Sequence, residues 1–494
     1  MILVLRGFSA VYEMESLARM LFPGTARSDT LPEAGDWILA EMTPQADGIR
    51  LSAAICLNGT IIRREEVCSV SLTEKQRTFP LCRLLYEAAC EATGESLRWG
   101  LLTGIRPIKL YHRLAEQGMS ESEIALQMQK KYLLNDEMNA LALSIRREEA
   151  AVNEKSLPLG FSLYLSIPFC PQRCSYCSFV SSSVERMRSL IPAYVDALCR
   201  EIAVTGEIAR SLGLQLQTVY FGGGTPTTLD APQLTKLFER IHASFDCSEL
   251  LEFTVEAGRP DTIDRDRLLA LKNAGVGRIS INPQTMNDRV LAAVGRRHTA
   301  AEIEQAFSLA REIGFDTINM DLIAGLADET PEEFLSSLER VLFLRPENVT
   351  VHTLTLKRAS TLTEEGSAQE YYKKRAEVTR MVDGARARLT DEGYVPYYLY
   401  RQKNTIGALD NTGYTLPGHA GCYNVFIMDE THTILACGAG AVTKLRQPMG
   451  EKIERIYNLK YPGEYLDRFD EIIERKEGVR KFYENYLERQ KLPH

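Results

Sequence analysis

Three cysteines, Cys170, Cys174 and Cys177, fall within the stretch Ile167-Pro168-Phe169-Cys170-Pro171-Gln172-Arg173-Cys174-Ser175-Tyr176-Cys177. Thiolates at this C-x3-C-x2-C spacing can close on a metal centre from a single loop. A structural zinc site normally takes four Cys or His ligands, and the next cysteine, Cys199, stands more than twenty residues on. Three ligands to a four-iron cluster leave one iron open, which suits chemistry rather than structure alone. Zinc and plain-core readings stand as the alternatives. A second signal is the run Gly222-Gly223-Gly224-Thr225-Pro226-Thr227, whose side-chain-free backbone can approach a ligand closely and offer amides to a carboxylate. Beyond it come Glu256, Gln284, Arg296 and Asp321. Carboxylates and amides can hold hydroxyls and an ammonium, and an Arg can pair with a carboxylate through two parallel bonds. Each alone has a duller reading: Glu256 or Asp321 as a helix cap, Gln284 as a turn residue, Arg296 as a solvated charge.

The elements that must position these residues are legible as an alternation. Short apolar runs at Leu163 to Ile167, Thr218 to Phe221, Leu251 to Val255, Arg278 to Ile281, Thr317 to Ile323 and Asn348 to Val351 have strand length and composition. Amphipathic helices lie between them, with starts marked by Thr299-Ala300-Ala301-Glu302 and Thr330-Pro331-Glu332-Glu333, both capping-box patterns. Such repeats predict parallel β/α units, in which function sits at the C-terminal ends of the strands. The first 155 residues read as a separate α+β unit, with strands at Ile2 to Leu5, Trp37 to Met42, Ile49 to Cys56 and Thr60 to Arg64, and a capping box at Ser120-Glu121-Ser122-Glu123. Between them, Leu102 to Lys109 is a basic turn of unassigned role. After about 365 a charged helix from Gln369 to Leu389, a Gly438-Ala439-Gly440-Ala441 turn and a helical stretch near Tyr465 to Arg475 form a third unit. The expected divisions are 1–155, 156–365 and 366–494.

Composition sets the outer limits. The chain has 494 residues, 45% of them apolar, enough for real cores; 58 Lys+Arg against 66 Asp+Glu give a net charge of −8. No global basic field favours nucleic acid or an anionic membrane. No apolar run has membrane-spanning length and the opening residues make no signal peptide, so a cytoplasmic protein is expected. Eleven cysteines are then thiols or metal ligands rather than disulfides.

The cysteine spacing, with Tyr176 before the last Cys, resembles the motif of radical S-adenosylmethionine (SAM) enzymes, and the glycine run one strand–helix unit later strengthens the likeness. More narrowly, residues 160 to about 475 resemble the oxygen-independent coproporphyrinogen III dehydrogenase family, in its HemZ-type branch, and the long N-terminal unit looks like that branch's extension. The resemblance implies a partial (β/α)6 barrel with an N-terminal α+β domain and a C-terminal α/β extension covering the active site. It implies a [4Fe-4S] cluster on Cys170, Cys174 and Cys177, with SAM chelating the open iron. Tyr164, Gly223, Gly224, Thr225, Glu256, Gln284, Arg296 and Asp321 match the family's SAM contacts, including those to a second SAM; Thr355 aligns less well.

The implied reaction is oxidative decarboxylation. A deoxyadenosyl radical takes a hydrogen from a propionate β-carbon, carbon dioxide leaves, an acceptor takes an electron, and two propionates become the vinyls of protoporphyrinogen IX. A reducing protein such as flavodoxin or ferredoxin is the implied partner. Two positions depart from the HemN pattern: Phe179 stands where a fourth cysteine would be, and Ser166 where a histidine would follow the tyrosine. The related HemW-type haem-transfer proteins also lack that cysteine, so a haem carrier is one alternative, and another radical SAM enzyme acting on a tetrapyrrole is a second. Arg259, Arg297, Lys357, Arg358, Arg401 and Lys403 are candidate cations for a substrate with four carboxylates. His352, His419, Cys422 and Cys437 are candidate tetrapyrrole contacts.

Overall fold

The computed structural model describes residues 1–177, 182–355, 368–402, 405, 408–448 and 450–487. By contacts the chain forms two compact units: Met1–Leu143 with Arg401–Leu409, and Ser144–Tyr400 with Asp410–His494.

The first unit is built on strands β1 (Ile2–Arg6), β2 (Ala26–Ser28), β3 (Trp37–Gln45), β4 (Gly48–Leu57) and β5 (Thr60–Cys68), in the order β2-β1-β3-β4-β5. β1 is parallel to β2 and β3; the β3-β4-β5 meander is antiparallel. Asn58 and Gly59 form the two-residue loop between β4 and β5, both at positive φ, a conformation these two residue types enter most easily. Helices Val11–Leu21 and Glu74–Thr93 contribute Met14, Leu17, Leu81, Leu85 and Ala88 to one core with Leu3, Ile38, Leu51 and Ile55. The expected capping box on Ser120 and Glu123 is formed in both directions.

The second unit contains β6 (Gly160–Ile167), β7 (Phe169–Cys170), β8 (Ser182–Ser183), β9 (Gln215–Gly223), β10 (Glu252–Glu256), β11 (Arg278–Ser280), β12 (Thr317–Ala324), β13 (Asn348–Thr353), β14 (Val395–Arg401, of which the last residue, Arg401, is counted with the first unit), β15 (Asp410–Thr415), β16 (Thr433–Cys437), β17 (Val442–Arg446) and β18 (Ile453–Tyr457). All but the β7-β8 ribbon join one sheet, ordered β14-β15-β13-β12-β11-β10-β9-β6-β16-β17-β18. From β6 through β9 to β13 every neighbouring pair is parallel, as the strand–helix alternation predicts. The sheet is open rather than a closed barrel, with β14 and β18 at its edges. Capping boxes at Thr299 and Thr330 start two of the crossover helices.

Along the parallel strands apolar and polar side chains alternate. Leu163, Leu165, Val219, Phe221, Val255, Ile279 and Met320 are buried. Tyr164, Tyr220, Glu256, Ser280, Asn319, Asp321, Thr350 and His352 alternate with them and meet one another on the opposite face. Parallel sheets covered on both sides usually read as continuous apolar runs, so a polar inner face signals something other than packing.

The C-terminal strands extend this sheet at both ends. β16 lies parallel beside β6, and β15 antiparallel beside β13. The turn after β16 is fastened by Glu201 on helix Ile191–Ser211. This fully buried carboxylate accepts from Gly438 N at 2.8 Å, Asn458 Nδ2 at 2.7 Å and Tyr465 Oη at 2.6 Å, and pairs with Lys476 at 2.8 Å. No helix among the described residues is long and apolar enough to cross a membrane.

Candidate active site

The cysteine loop springs from the C-terminal end of β6, at the mouth of the polar face. Its course is set by the glycine run. Gly224 N donates to Ile167 O and Thr225 N to Phe169 O, each at 2.8 Å. A Cβ on Gly224 would stand 2.6 Å from Phe169 O; Gly223, at φ +103°, would place one 2.9 Å from Ser166 Oγ. Glycine is required here by close approach of backbone to backbone. The expectation that these amides face a ligand carboxylate is thereby corrected at Gly224 and Thr225, whose N–H groups are used inside the protein. Thr225 Oγ1 lies 3.5 Å from Cys170 Sγ, and Cys177 N donates to Cys174 O at 3.1 Å. All three thiols are free of disulfides.

Two arginines hold the loop from the other side. Arg259 forms two bonds to Asp261, at 2.9 and 2.8 Å, and donates to Gln172 O at 3.2 Å. Arg296 is buried and donates to Asn282 O at 2.6 Å. Burial alone would make its charge less favourable, but hydrogen bonds and charge interactions with Tyr176 and Cys174 raise its pKa. Its Nε is buried with no partner among the described residues, as is Gln284 Oε1. Gln284 sits at φ +70°, with N donating to Asp321 O at 2.8 Å and O accepting from Ile323 N at 2.9 Å. One unsatisfied donor, on the arginine that meets Cys174, and one unsatisfied acceptor, after β11, fit a zwitterionic ligand such as an amino-acid moiety.

Below the mouth the polar face carries two contrasting carboxyls. Tyr220 Oη donates to Glu256 at 2.7 Å. Burial lifts Glu256 to about 7, with the charge of Asp321 adding to the rise and the Tyr220 bond and His352 opposing it. Burial also pushes Asp321 upward, but His352, Asn319 and Thr350 together hold it below the usual carboxylate range. His352 Nε2 lies 3.6 Å from Asp321 and Asn319 Nδ2 donates to it at 2.8 Å. His352 Nδ1 in turn lies 3.3 Å from Tyr400 Oη. One acid is thus poised near neutrality and the other fixed as an anion.

The opposite end is filled. Tyr423, on helix Cys422–Met428, stacks on Tyr220 with centroids 4.4 Å apart, and both lie near-parallel to Tyr164 at 6.4 and 6.2 Å. The segment leading into that helix is tied to the first residues of the strands: His419 O accepts from Arg278 and Asn348, at 2.7 and 3.0 Å, and Cys422 N donates to Glu252 at 2.6 Å.

A family profile, the Radical SAM superfamily, matches residues 164–341, from the middle of β6 through the helix after β12. The oxygen-independent coproporphyrinogen-III oxidase-like protein HemZ of Bacillus subtilis is 38% identical over 454 residues, 90% of each chain. The chain belongs to the radical SAM proteins of this HemZ type. Two other branches are also similar. The heme chaperone HemW of Escherichia coli is 29% identical over 67% of this chain and 82% of its own. The oxygen-independent coproporphyrinogen III oxidase of the same organism is 35% identical over 38% of this chain and 41% of its own.

Against the radical SAM expectation, Cys170, Cys174, Cys177, Thr225 and Arg296 meet at the loop, with Gly223 and Gly224 beneath it. Glu256 and Asp321 share the inner face with Tyr164, and Gln284 pairs with the backbone of Asp321. Thr355 is buried just beyond β13.

Several further candidates lie elsewhere. His419 and Cys422 are at the N-terminal ends of the strands, because their loop plugs that end. Cys437 faces helix Ile191–Ser211, 3.3 Å from Thr205, its thiol pushed up to about 12 by burial. Arg401 belongs to the first unit, where it donates to Leu102 O and Ala408 O and lies over Trp99. Arg259 is committed to Asp261, and Arg297 is exposed. Ser166 donates to Ala439 O at 2.8 Å. Phe179, Lys357, Arg358 and Lys403 lie outside the described residues. Asn319, Tyr220, Tyr423 and Tyr400 escaped the sequence reading; the polar alternation in β9 and β12 was the available signal for the first two.

Proposed function

We propose that this protein is an oxygen-independent coproporphyrinogen III dehydrogenase, converting two propionates of a tetrapyrrole to vinyls. The observation that carries the reading is the three-thiol loop standing over a polar, acid-bearing inner face, in a chain similar to HemZ along 90% of its length. Cys170, Cys174 and Cys177 would hold three irons of a [4Fe-4S] cluster. Arg296 Nε and Gln284 Oε1 would take the carboxylate and ammonium of SAM, and Glu256 and Asp321 its ribose hydroxyls. When bound, cluster and SAM supply hydrogen abstraction from an unactivated C–H bond. The chain's own part is orientation and dryness: the Tyr164, Tyr220 and Tyr423 rings close the far end against water that would quench reactive species.

A second reading, haem transfer, is favoured by the likeness to HemW over 67% of the chain. Anaerobic incubation of the reconstituted protein with SAM, a reductant and coproporphyrinogen III separates the two. Divinyl product with carbon dioxide and 5′-deoxyadenosine supports the dehydrogenase, and stable haem binding without turnover overturns it. Cys174→Ala should remove iron, sulfide and SAM cleavage; retained cleavage would overturn the cluster assignment.

A further inference from the structure

The outer edge of the cysteine loop is ringed by cations in a chain whose net charge is −8. Arg173, between the first two cysteines, is exposed. The β7-β8 ribbon sets Cys170 opposite Ser183, and helix Val184–Met187 continues directly from it and packs against β7, carrying exposed Arg186, with exposed Arg188 next in the chain. On the other flank Ser175 N donates to Val294 O at 3.1 Å, which brings exposed Arg297 beside the loop. Among the described residues Arg186, Arg188 and Arg297 form no ion pair. Of the acidic groups on these elements, Glu185 and Asp288 are exposed, Asp288 accepting from Ala300 N, while Asp261 is neutralised by Arg259 and Glu302 caps its own helix through Thr299. Cys170 and Cys177 are themselves part-exposed, so the loop reaches the surface where the charge gathers.

We infer that this arginine rim is the docking surface for an acidic one-electron carrier protein, which delivers an electron to the metal centre through the exposed edge of the cysteine loop. The inference rests on the iron–sulfur reading above. A local positive field on an acidic molecule steers an acidic partner to one spot and repels it from the rest, an effect on encounter rate that salt weakens.

The test is anaerobic stopped-flow bleaching of the reconstituted full chain by reduced flavodoxin, beside the same measurement with photogenerated deazaflavin radical, a small neutral reductant. Replacing Arg186, Arg188 and Arg297 together by Glu should lower the flavodoxin rate constant at least tenfold at low salt, flatten its salt dependence and leave the deazaflavin rate unchanged. An unchanged flavodoxin rate overturns the docking surface, and so does an equal loss with both reductants. Iron and sulfide contents are assayed first, since their absence from the unaltered chain sinks the cluster itself rather than the rim.

Discussion

Asp321 and Glu256 show how position along a strand decides what a carboxyl is. Both are on the same inner face, yet a histidine helps fix one as an anion, while burial, only partly opposed by the Tyr220 phenol, leaves the other near neutrality. Removing the fixing group should be felt at the ligand. His352→Ala, and more weakly Tyr400→Phe, should cut SAM affinity by about tenfold, the scale of one lost charge-assisted contact, with the loss greatest at low pH; equilibrium dialysis across pH reads this out. Glu329 is a purer case of burial. It is 1% exposed, accepts from Thr285 Oγ1, leaves Oε2 without a partner among the described residues, and is raised by burial from 4.5 to about 7. A carboxyl raised in the folded state favours folding while protonated and loses that contribution as pH climbs. Stability of the metal-free chain should therefore fall between about pH 4.5 and 7, by up to about 3 kcal/mol for this group, and Glu329→Gln should flatten that fall in denaturant titrations.

At the scale of elements, the glycine run and the C-terminal clamp make different demands. Gly224→Ala would press a methyl against Phe169 O, so the strand should survive while the cysteine loop shifts. Far-UV circular dichroism unchanged with at least half the reconstituted iron lost is the expected result. The Glu201–Lys476 pair is a buried ion pair, where loss of one partner costs about 3–5 kcal/mol because the other is left uncompensated. Lys476→Met should show that loss in thermal unfolding, and adding Glu201→Gln should return part of it. The parallel strands, their crossover helices and three capping boxes were legible in the sequence because period and cap chemistry are local. β15 was not. Asp410-Asn411-Thr412-Gly413-Tyr414-Thr415 has the composition of a turn, yet every residue is buried. Asn411 Oδ1 accepts from Thr353 N at 2.9 Å, and a side chain on Gly413 would collide with the Tyr398 ring. Those partners are remote in sequence, so no window of residues reveals them. The site divides the same way: the cysteines and strand-end groups follow from spacing, whereas Tyr423 and Tyr400 enter from distant elements.

The molecule as a whole divides into two contact units, and both tryptophans, Trp37 and Trp99, belong to the first. Tryptophan fluorescence therefore reports one unit and far-UV circular dichroism both. The two probes should give non-coincident unfolding curves, the mark of a transition that is not two-state. Arg401→Ala, which frees the carbonyls of Leu102 and Ala408 and uncovers Trp99, should move the fluorescence transition to lower denaturant while leaving the other component in place.

The parallel pairing of β16 with β6 joins residues some 270 apart. On the ribosome β6 emerges early, with β9 following to cover one side, and its other edge has to wait until almost the entire polypeptide has been made. An unsatisfied strand edge next to a loop of three free thiols is a hazard for nascent chains. Loading of iron is therefore expected after translation ends, and closure between segments so far apart in sequence is expected to be slow.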